Sequence, residues 1–161
     1  MPLPKLNGVI PQVGQAAPTF RYVATDKTNH ALDGLKGEVV IVLAFPSVDT
    51  PTCAIETRTF NQHAADLGAT ILVASMDLPF AMKRFCAAEG IDKVKMASDF
   101  RYRDMWNNWG VAIAEGGLEG TLARAVWVLD RDGMIQYHEL VPEIGSEPDY
   151  DAALKAAKAL L

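Results

Sequence analysis

The longest uninterrupted apolar run in the chain is Val39–Phe45, which is rich in β-branched side chains. A short, continuous run predicts a strand buried on both faces, because a strand with one face in water would alternate apolar and polar residues. Pro46 then breaks the strand. Thr50 followed by Pro51 predicts a helix start, with a hydroxyl N-cap and proline at the first helical position. A buried strand that leads into a helix favours an α/β fold.

Strands and helices alternate along the rest of the chain. The helix after Thr50 is expected to end at Gly68 and the next at Gly90, since glycine tolerates the left-handed conformation at helix C-termini. The Asp-Gly step in residues 130–133 predicts a hairpin between the last two strands. The expected strands are Phe20–Ala24, Val39–Phe45, Ala69–Ser75, Val94–Ala97, Ala123–Leu129 and Met134–Leu140, and the expected helices are Pro51–Leu67, Leu78–Gly90, Arg101–Trp109 and Tyr150–Leu161.

This order of elements predicts a single domain over residues 1–161. Parallel crossovers that end in an antiparallel hairpin give a mixed central sheet flanked by helices on both faces, an α/β arrangement similar to thioredoxin-like folds. The fold class alone does not carry a function, so the chemistry has to be sought in particular residues.

Composition and charge exclude several function classes. The 161 residues are half hydrophobic and 22% charged, which is ordinary for a globular chain with a substantial core. Val39–Phe45 is far too short to cross a bilayer, and the N-terminus lacks the apolar region of a secretory signal, so we expect a cytoplasmic protein without a membrane partner. A net charge of −5 without a Lys/Arg cluster argues against a nucleic-acid partner. The histidines stand in no metal-binding motif, so neither a metal nor a cofactor is expected.

Cys53 lies at the third position of the helix predicted after Thr50, where free backbone N–H groups and the helix dipole favour an anion. A cysteine of ordinary pKa is only a few per cent thiolate at pH 7, and about 90% thiolate requires a shift of ~2.5 pKa units, or roughly 3.4 kcal/mol. A helix terminus supplies about 0.3–1 kcal/mol and at best ~2 kcal/mol. The dipole is therefore insufficient, and a nearby cation is expected.

Arg124 is the most informative of the candidate cations, because it stands in the apolar stretch predicted as a strand. Burial of an arginine there costs several kcal/mol unless it meets an anion. Two readings stay open on the residues alone: the guanidinium serves Cys53, or it lies at a strand end facing solvent or paired with a carboxylate such as Glu56. The other candidate cations are Arg58, which points away from Cys53 along the helix, Lys83 and Arg84.

The spacing Pro46-x-x-x-Thr50-x-x-Cys53 resembles the active-site signature of peroxiredoxins. The longer string from Pro46 to Cys53 is similar to that of the bacterial thiol peroxidases, the atypical two-cysteine branch. The resemblance continues over nearly the whole chain, in the strings Asp77–Cys86, Gly110–Ala114, Leu122–Ala125 and Leu140–Gly145. The Trp106–Trp109 segment and Trp127 depart from the family pattern and bear on the shape of the pocket.

The resemblance implies a role for each matching residue. Cys53 would be the peroxidatic cysteine and Cys86 the resolving cysteine, which together form a disulfide that thioredoxin reduces. Thr50 would orient the hydroperoxide, Pro46 would shield the thiolate from water, and Arg124 would stabilise both thiolate and peroxide. The family also implies a homodimer. Because Cys53 and Cys86 are expected in different helices, we further expect the turn around Cys53 to unwind in each catalytic cycle.

Two rival functions use the same cysteines. A thioredoxin-type oxidoreductase usually carries Cys-x-x-Cys, but the residue three after Cys53 is Glu56, which disfavours that reading. A redox-regulated chaperone or signalling protein is the other alternative. Cys86 by itself would be unremarkable as a packed apolar side chain, and only the family string distinguishes it.

Overall fold

The computed structural model describes residues 1–161, with only the backbone of Ala65. The first half of the chain alternates short strands with two long helices. In chain order the elements are β1 (Leu6–Asn7), β2 (Arg21–Val23), β3 (Asn29–Ala31), a 3₁₀ turn (Leu32–Leu35), β4 (Val40–Ala44), α1 (Pro51–Leu67), β5 (Thr70–Ser75), α2 (Pro79–Glu89), β6 (Lys95–Ser98), α3 (Asp104–Asn108), β7 (Ala112–Ile113), β8 (Ala125–Leu129), β9 (Ile135–Leu140) and α4 (Tyr150–Lys158).

The central sheet of the described chain has seven strands in the order β3-β2-β6-β5-β4-β8-β9. Strands β4, β5 and β6 run parallel, whereas β8 and β9 are antiparallel to their neighbours. The predicted mixed sheet is therefore confirmed. Since β4 and β5 are parallel, their carboxyl ends meet at one edge, and the loops that follow Ala44 and Ser75 lie side by side.

The two faces of the sheet bury separate apolar clusters. One cluster takes side chains from α1, α2 and α4, and it contains Cys53, with Cys86 packed against it. The cluster on the other face contains Trp109 and Trp127, whose rings meet edge to face at 4.9 Å. These tryptophans therefore fill the core on the face opposite Cys53, and the expectation that they shape its pocket is wrong.

The two long helices begin and end where the sequence predicts. Thr50 caps α1, Pro51 is its first residue, and Gly68 ends it in the left-handed conformation. Gly90 ends α2 in the same way. No helix that the structure describes is both long and apolar enough to cross a membrane.

Several predicted bounds are wrong. Helix α3 is shorter than predicted because Arg103 adopts a left-handed conformation (φ 58°), which prevents the helix from extending toward Arg101. Strand β8 begins at Ala125, so Arg124 immediately precedes the strand and is not within it. Three further strands, β1, β3 and β7, are only two or three residues long and are not predicted from the sequence.

Candidate active site

Thr50 organises the start of α1. Its hydroxyl donates a hydrogen bond to the Ser47 carbonyl at 3.1 Å and accepts one from the Cys53 backbone N–H at 3.4 Å. This second bond satisfies one of the N–H groups that a helix start leaves unpaired. Cys53 itself is fully buried, with 0% of its surface exposed. The helix start therefore fixes the thiol in a closed, dry position.

Arg124 lies directly against this thiol. Its Nη1 atom is 3.4 Å from the Cys53 sulfur, and the arginine is 1% exposed. The rest of the guanidinium is oriented by one backbone group, because both Nε and Nη2 donate to the carbonyl of Ile144, at 3.3 and 3.0 Å. The segment just before β8 and the loop after β9 thus hold a fixed cation at the start of α1.

Glu56 is the second acid beside Arg124. It lies one turn beyond Cys53 on α1, is 0% exposed, and places Oε1 3.7 Å from Arg124 Nη1. That separation is an ion-pair distance but is too long for a hydrogen bond. The two readings of Arg124 left open by the sequence are thus both realised in part, since the guanidinium contacts the thiol and the carboxyl group.

The pKa of Cys53 is set by opposing effects of burial and of its neighbours. Burial raises the pKa of the Cys53 thiol, and the Arg124 charge and the hydrogen bond with Thr50 oppose this rise without outweighing it. The energy balance drawn from the sequence counted the dipole and a cation but omitted desolvation, which disfavours an anion. Desolvation in this closed conformation therefore opposes the anion that the helix start and Arg124 favour.

Asp77 holds the loop that leads to Cys53. It follows β5 at the sheet edge where β4 ends, and its carboxylate accepts hydrogen bonds from Ser47 Oγ (2.8 Å), the Val48 N–H (2.9 Å) and Ser75 Oγ (2.6 Å). This role of Asp77 is not among those predicted from the sequence. An acidic residue just after a parallel strand, next to a loop of unpaired N–H groups, is the signal that indicates it.

The comparisons with known proteins agree with this geometry. A family model described as Redoxin matches residues 12–154. Thiol peroxidase of Mycobacterium tuberculosis is 49% identical over 152 residues, which cover 94% of this chain and 92% of that protein. Thiol peroxidase of Leptospira interrogans is 46% identical over 160 residues, which cover 98% of this chain and 94% of that protein. The chain belongs to the redoxin family.

Solved structures support the same assignment of this redoxin. A peroxiredoxin-like protein from Aquifex aeolicus superposes with a TM-score of 0.92 at 46% identity, covering 97% of this chain and 91% of that chain. A thiol peroxidase from Chromobacterium violaceum gives a TM-score of 0.86 at 25% identity, covering 98% and 91%. The thioredoxin-like fold and the thiol peroxidase branch predicted from the sequence are confirmed. The redoxin is a peroxidase, an enzyme that takes a peroxide substrate and a thiol reductant.

The second cysteine of the redoxin is not joined to the first. Cys86 lies on α2 and is a free, half-buried thiol, as Cys53 is a free, buried one. Burial raises the pKa of Cys86 to about 11. A cavity of about 330 Å³ reaches Cys86 from the surface, between the end of α2 and strands β2 and β6. Cys86 is thus protonated but accessible in this conformation.

The remaining candidate residues of the redoxin are also accounted for. Pro46 is buried at the end of β4, before the loop to Thr50. Arg58 pairs with Glu89 at 2.7 Å, and Lys83 is exposed. Arg84, which is exposed, lines an open groove of about 360 Å³ beside Thr50 and Pro51. No cluster of three or more metal-ligating side chains occurs among the residues that the structure describes.

Proposed function

We propose that this redoxin is a thioredoxin-dependent peroxidase that reduces hydrogen peroxide and organic hydroperoxides with Cys53. The observation that carries the proposal is the 3.4 Å approach of Arg124 Nη1 to the Cys53 sulfur in a site that excludes water. A buried guanidinium next to a thiol has little structural justification, because apolar side chains fill such a site at lower cost. It stabilises negative charge on sulfur and on a departing oxygen.

In the first step the Cys53 thiolate attacks the terminal oxygen of the hydroperoxide. An S–O bond forms and the O–O bond breaks, so that Cys53 becomes a sulfenic acid. The departing oxygen takes up a proton and leaves as water or an alcohol. Arg124 stabilises the charge that moves from sulfur to this oxygen. Thr50 orients the peroxide through its hydroxyl, and Pro46 limits access of water to the sulfur.

In the second step Cys86 condenses with the sulfenic acid, which forms a disulfide and releases water. The two thiols lie on separate helices, and a disulfide needs Cα atoms within about 7 Å. Cys53 is buried, and the raised pKa of Cys86 keeps that thiol protonated while α2 stays folded. We therefore infer that the first turn of α1 unwinds and that α2 loosens around Cys86. Thioredoxin then reduces the disulfide by thiol–disulfide exchange.

The remaining parts of the proposal concern organisation. We propose that residues 1–161 act as one domain, which the two core clusters on one continuous sheet support. We also propose a homodimer in the cytoplasm. Three large apolar side chains exposed on or next to the two cysteine-bearing helices support an interface between subunits. They are Ile55 on α1, Phe80 on α2 and Leu78, which caps α2.

Peroxide consumption coupled to thioredoxin and its reductase tests the proposed function. The wild-type chain is expected to turn over, Cys53→Ser to lose turnover, and Cys86→Ser to react once per chain and then stop with thioredoxin as reductant. Because serine matches cysteine in size, both variants keep the packing of the two helices. Turnover that survives Cys53→Ser contradicts the assignment of the reacting sulfur. Continued thioredoxin-dependent turnover of Cys86→Ser contradicts the resolving step.

A further inference from the structure

Glu56 is an unusual residue to find in this core. It is completely buried, and neither of its side-chain oxygens has a hydrogen-bond partner among the described residues. A buried carboxyl group without a hydrogen bond costs about 1–3 kcal/mol, and more when it is charged. An apolar side chain of the same length avoids that cost. A group kept in so unfavourable a position calls for a chemical explanation.

The geometry of Arg124 supplies one. Its Nε and Nη2 atoms are engaged by the Ile144 carbonyl, and Nη1 faces both Cys53, at 3.4 Å, and Glu56, at 3.7 Å. One positive charge therefore faces two buried acids. If only one acid ionises, the cluster is neutral, whereas ionisation of both leaves a buried net negative charge. Burial strongly favours the neutral cluster.

We propose that Glu56 is a positioning residue that competes with Cys53 for Arg124, so that only one of the two acids ionises readily and Cys53 becomes a thiolate only while Glu56 is neutral. The inference takes Cys53 as the reacting sulfur from the proposed function. It adds an internal control on reactivity, because a charged Glu56 neutralises the positive charge of Arg124 and so keeps the sulfur protonated.

The surroundings of Glu56 support this competition. Burial raises the pKa of Glu56 to about 8, against the opposing charge of Arg124, and burial also raises the pKa of Cys53. Two acids that share one guanidinium are coupled through its charge and titrate as a pair with shared apparent pKa values. The charged and titratable groups that face Glu56 are Arg124 before β8, Cys53 on α1, Glu139 on β9, Glu147 in the loop before α4, and Tyr150 on α4. Of these, the two glutamates further disfavour a charged Glu56.

The pH dependence of Cys53 alkylation tests the competition without any peroxide turnover. Reduced full-length protein is treated with iodoacetamide, and the rate at Cys53 is read from its own peptide, separately from Cys86. In the wild type the alkylation rate is expected to rise with pH in two steps, because Cys53 and Glu56 titrate as a coupled pair. In Glu56→Gln it is expected to rise in one step, with an apparent pKa at least about one unit lower, which is about tenfold more thiolate on the rising part of the curve.

One control variant and two further measurements keep the result interpretable. Glu119→Gln removes the same charge from an exposed loop and is expected to keep the wild-type alkylation profile. Infrared spectroscopy of the wild type at pH 7 is expected to show the C=O band of a protonated, buried carboxyl group, which needs no variant to fold. Glu56→Met is expected to lower the apparent pKa as Glu56→Gln does.

An unchanged or raised apparent pKa of Cys53 in Glu56→Gln overturns the proposal, and so does the absence of the protonated carboxyl band in the wild type. The failure of the proposed peroxidase function is a separate outcome. It is seen as turnover that survives Cys53→Ser, and it leaves the alkylation and infrared results standing on their own.

Discussion

Replacement of Asp77 by alanine is expected to release the loop that holds Cys53 in its buried position. The carboxylate ties three groups together, namely Ser47 Oγ, the Val48 N–H and Ser75 Oγ, over distances of 2.6–2.9 Å. Since Ser47 and Val48 lie in the loop that leads to Thr50, this loop and the first turn of α1 lose their anchor to β5 when the carboxylate is removed. The closed conformation therefore loses stability relative to the opened one.

The magnitude follows from these contacts. A hydrogen bond to a charged group contributes about 1.5–3 kcal/mol, and the buried Val48 N–H left without an acceptor costs about 1–3 kcal/mol. The three bonds share one carboxylate and are not additive. We expect the free energy of local opening to fall by about 3 kcal/mol, which corresponds to an opened population ~100-fold larger.

Hydrogen exchange measured by mass spectrometry checks this prediction. Amides of residues 46–53 are expected to exchange ~100-fold faster in Asp77→Ala, while those of β4 keep their protection. After one equivalent of peroxide, the variant is expected to close its disulfide faster, because opening precedes contact with Cys86. Asp49→Ala, which removes an exposed carboxylate from the same loop, is the matched control and is expected to behave as the wild type. Unchanged exchange over residues 46–53 in Asp77→Ala refutes the reasoning.

Further predictions concern Thr50 and Glu56. Thr50→Val removes the acceptor for the Cys53 N–H and is expected to lower the free energy of unfolding, measured by urea denaturation, by about 1 kcal/mol. Thr50→Ser keeps the hydroxyl acceptor and is expected to keep the wild-type stability. An equal loss in both variants contradicts the capping role. Folding raises the pKa of Glu56 from 4.5 to about 8, so the folded state binds more protons between these values and stability falls as pH rises through that window. Between these two pH values the free energy of unfolding falls by at most about 5 kcal/mol. In Glu56→Gln the free energy of unfolding is expected to differ less between pH 5 and pH 8 than it does in the wild type. An equal difference in both proteins contradicts the assigned pKa.

The fold could be predicted where local signals coincide with tertiary structure. Helix α1 was predicted to its last residue because a hydroxyl cap, a proline and a terminal glycine mark both ends. Strand β4 was predicted because its continuous apolar run fits only a strand buried on both faces. Strands of two or three residues, such as β1 and β7, carry too few residues for any alternation, so their pairing depends on tertiary contacts.

The residues of the site could be predicted from the sequence, but the pKa of Cys53 and the orientation of Arg124 could not. Sequence reasoning required a cation for Cys53, and Arg124 lies against that sulfur. The carbonyl of Ile144, which orients the guanidinium, is a backbone group and leaves no signal in the sequence. The raised pKa of Cys53 was missed because the depth of burial is set by packing between elements far apart in the chain.

Mass spectrometry after one equivalent of hydrogen peroxide tests the central claim most directly. We predict that the intact reduced chain loses two hydrogens, and that a digest contains the peptide of Cys53 linked to that of Cys86. A chain that gains an oxygen without forming this link contradicts the role of Cys86. A chain whose Cys53 remains an unmodified thiol contradicts the account as a whole.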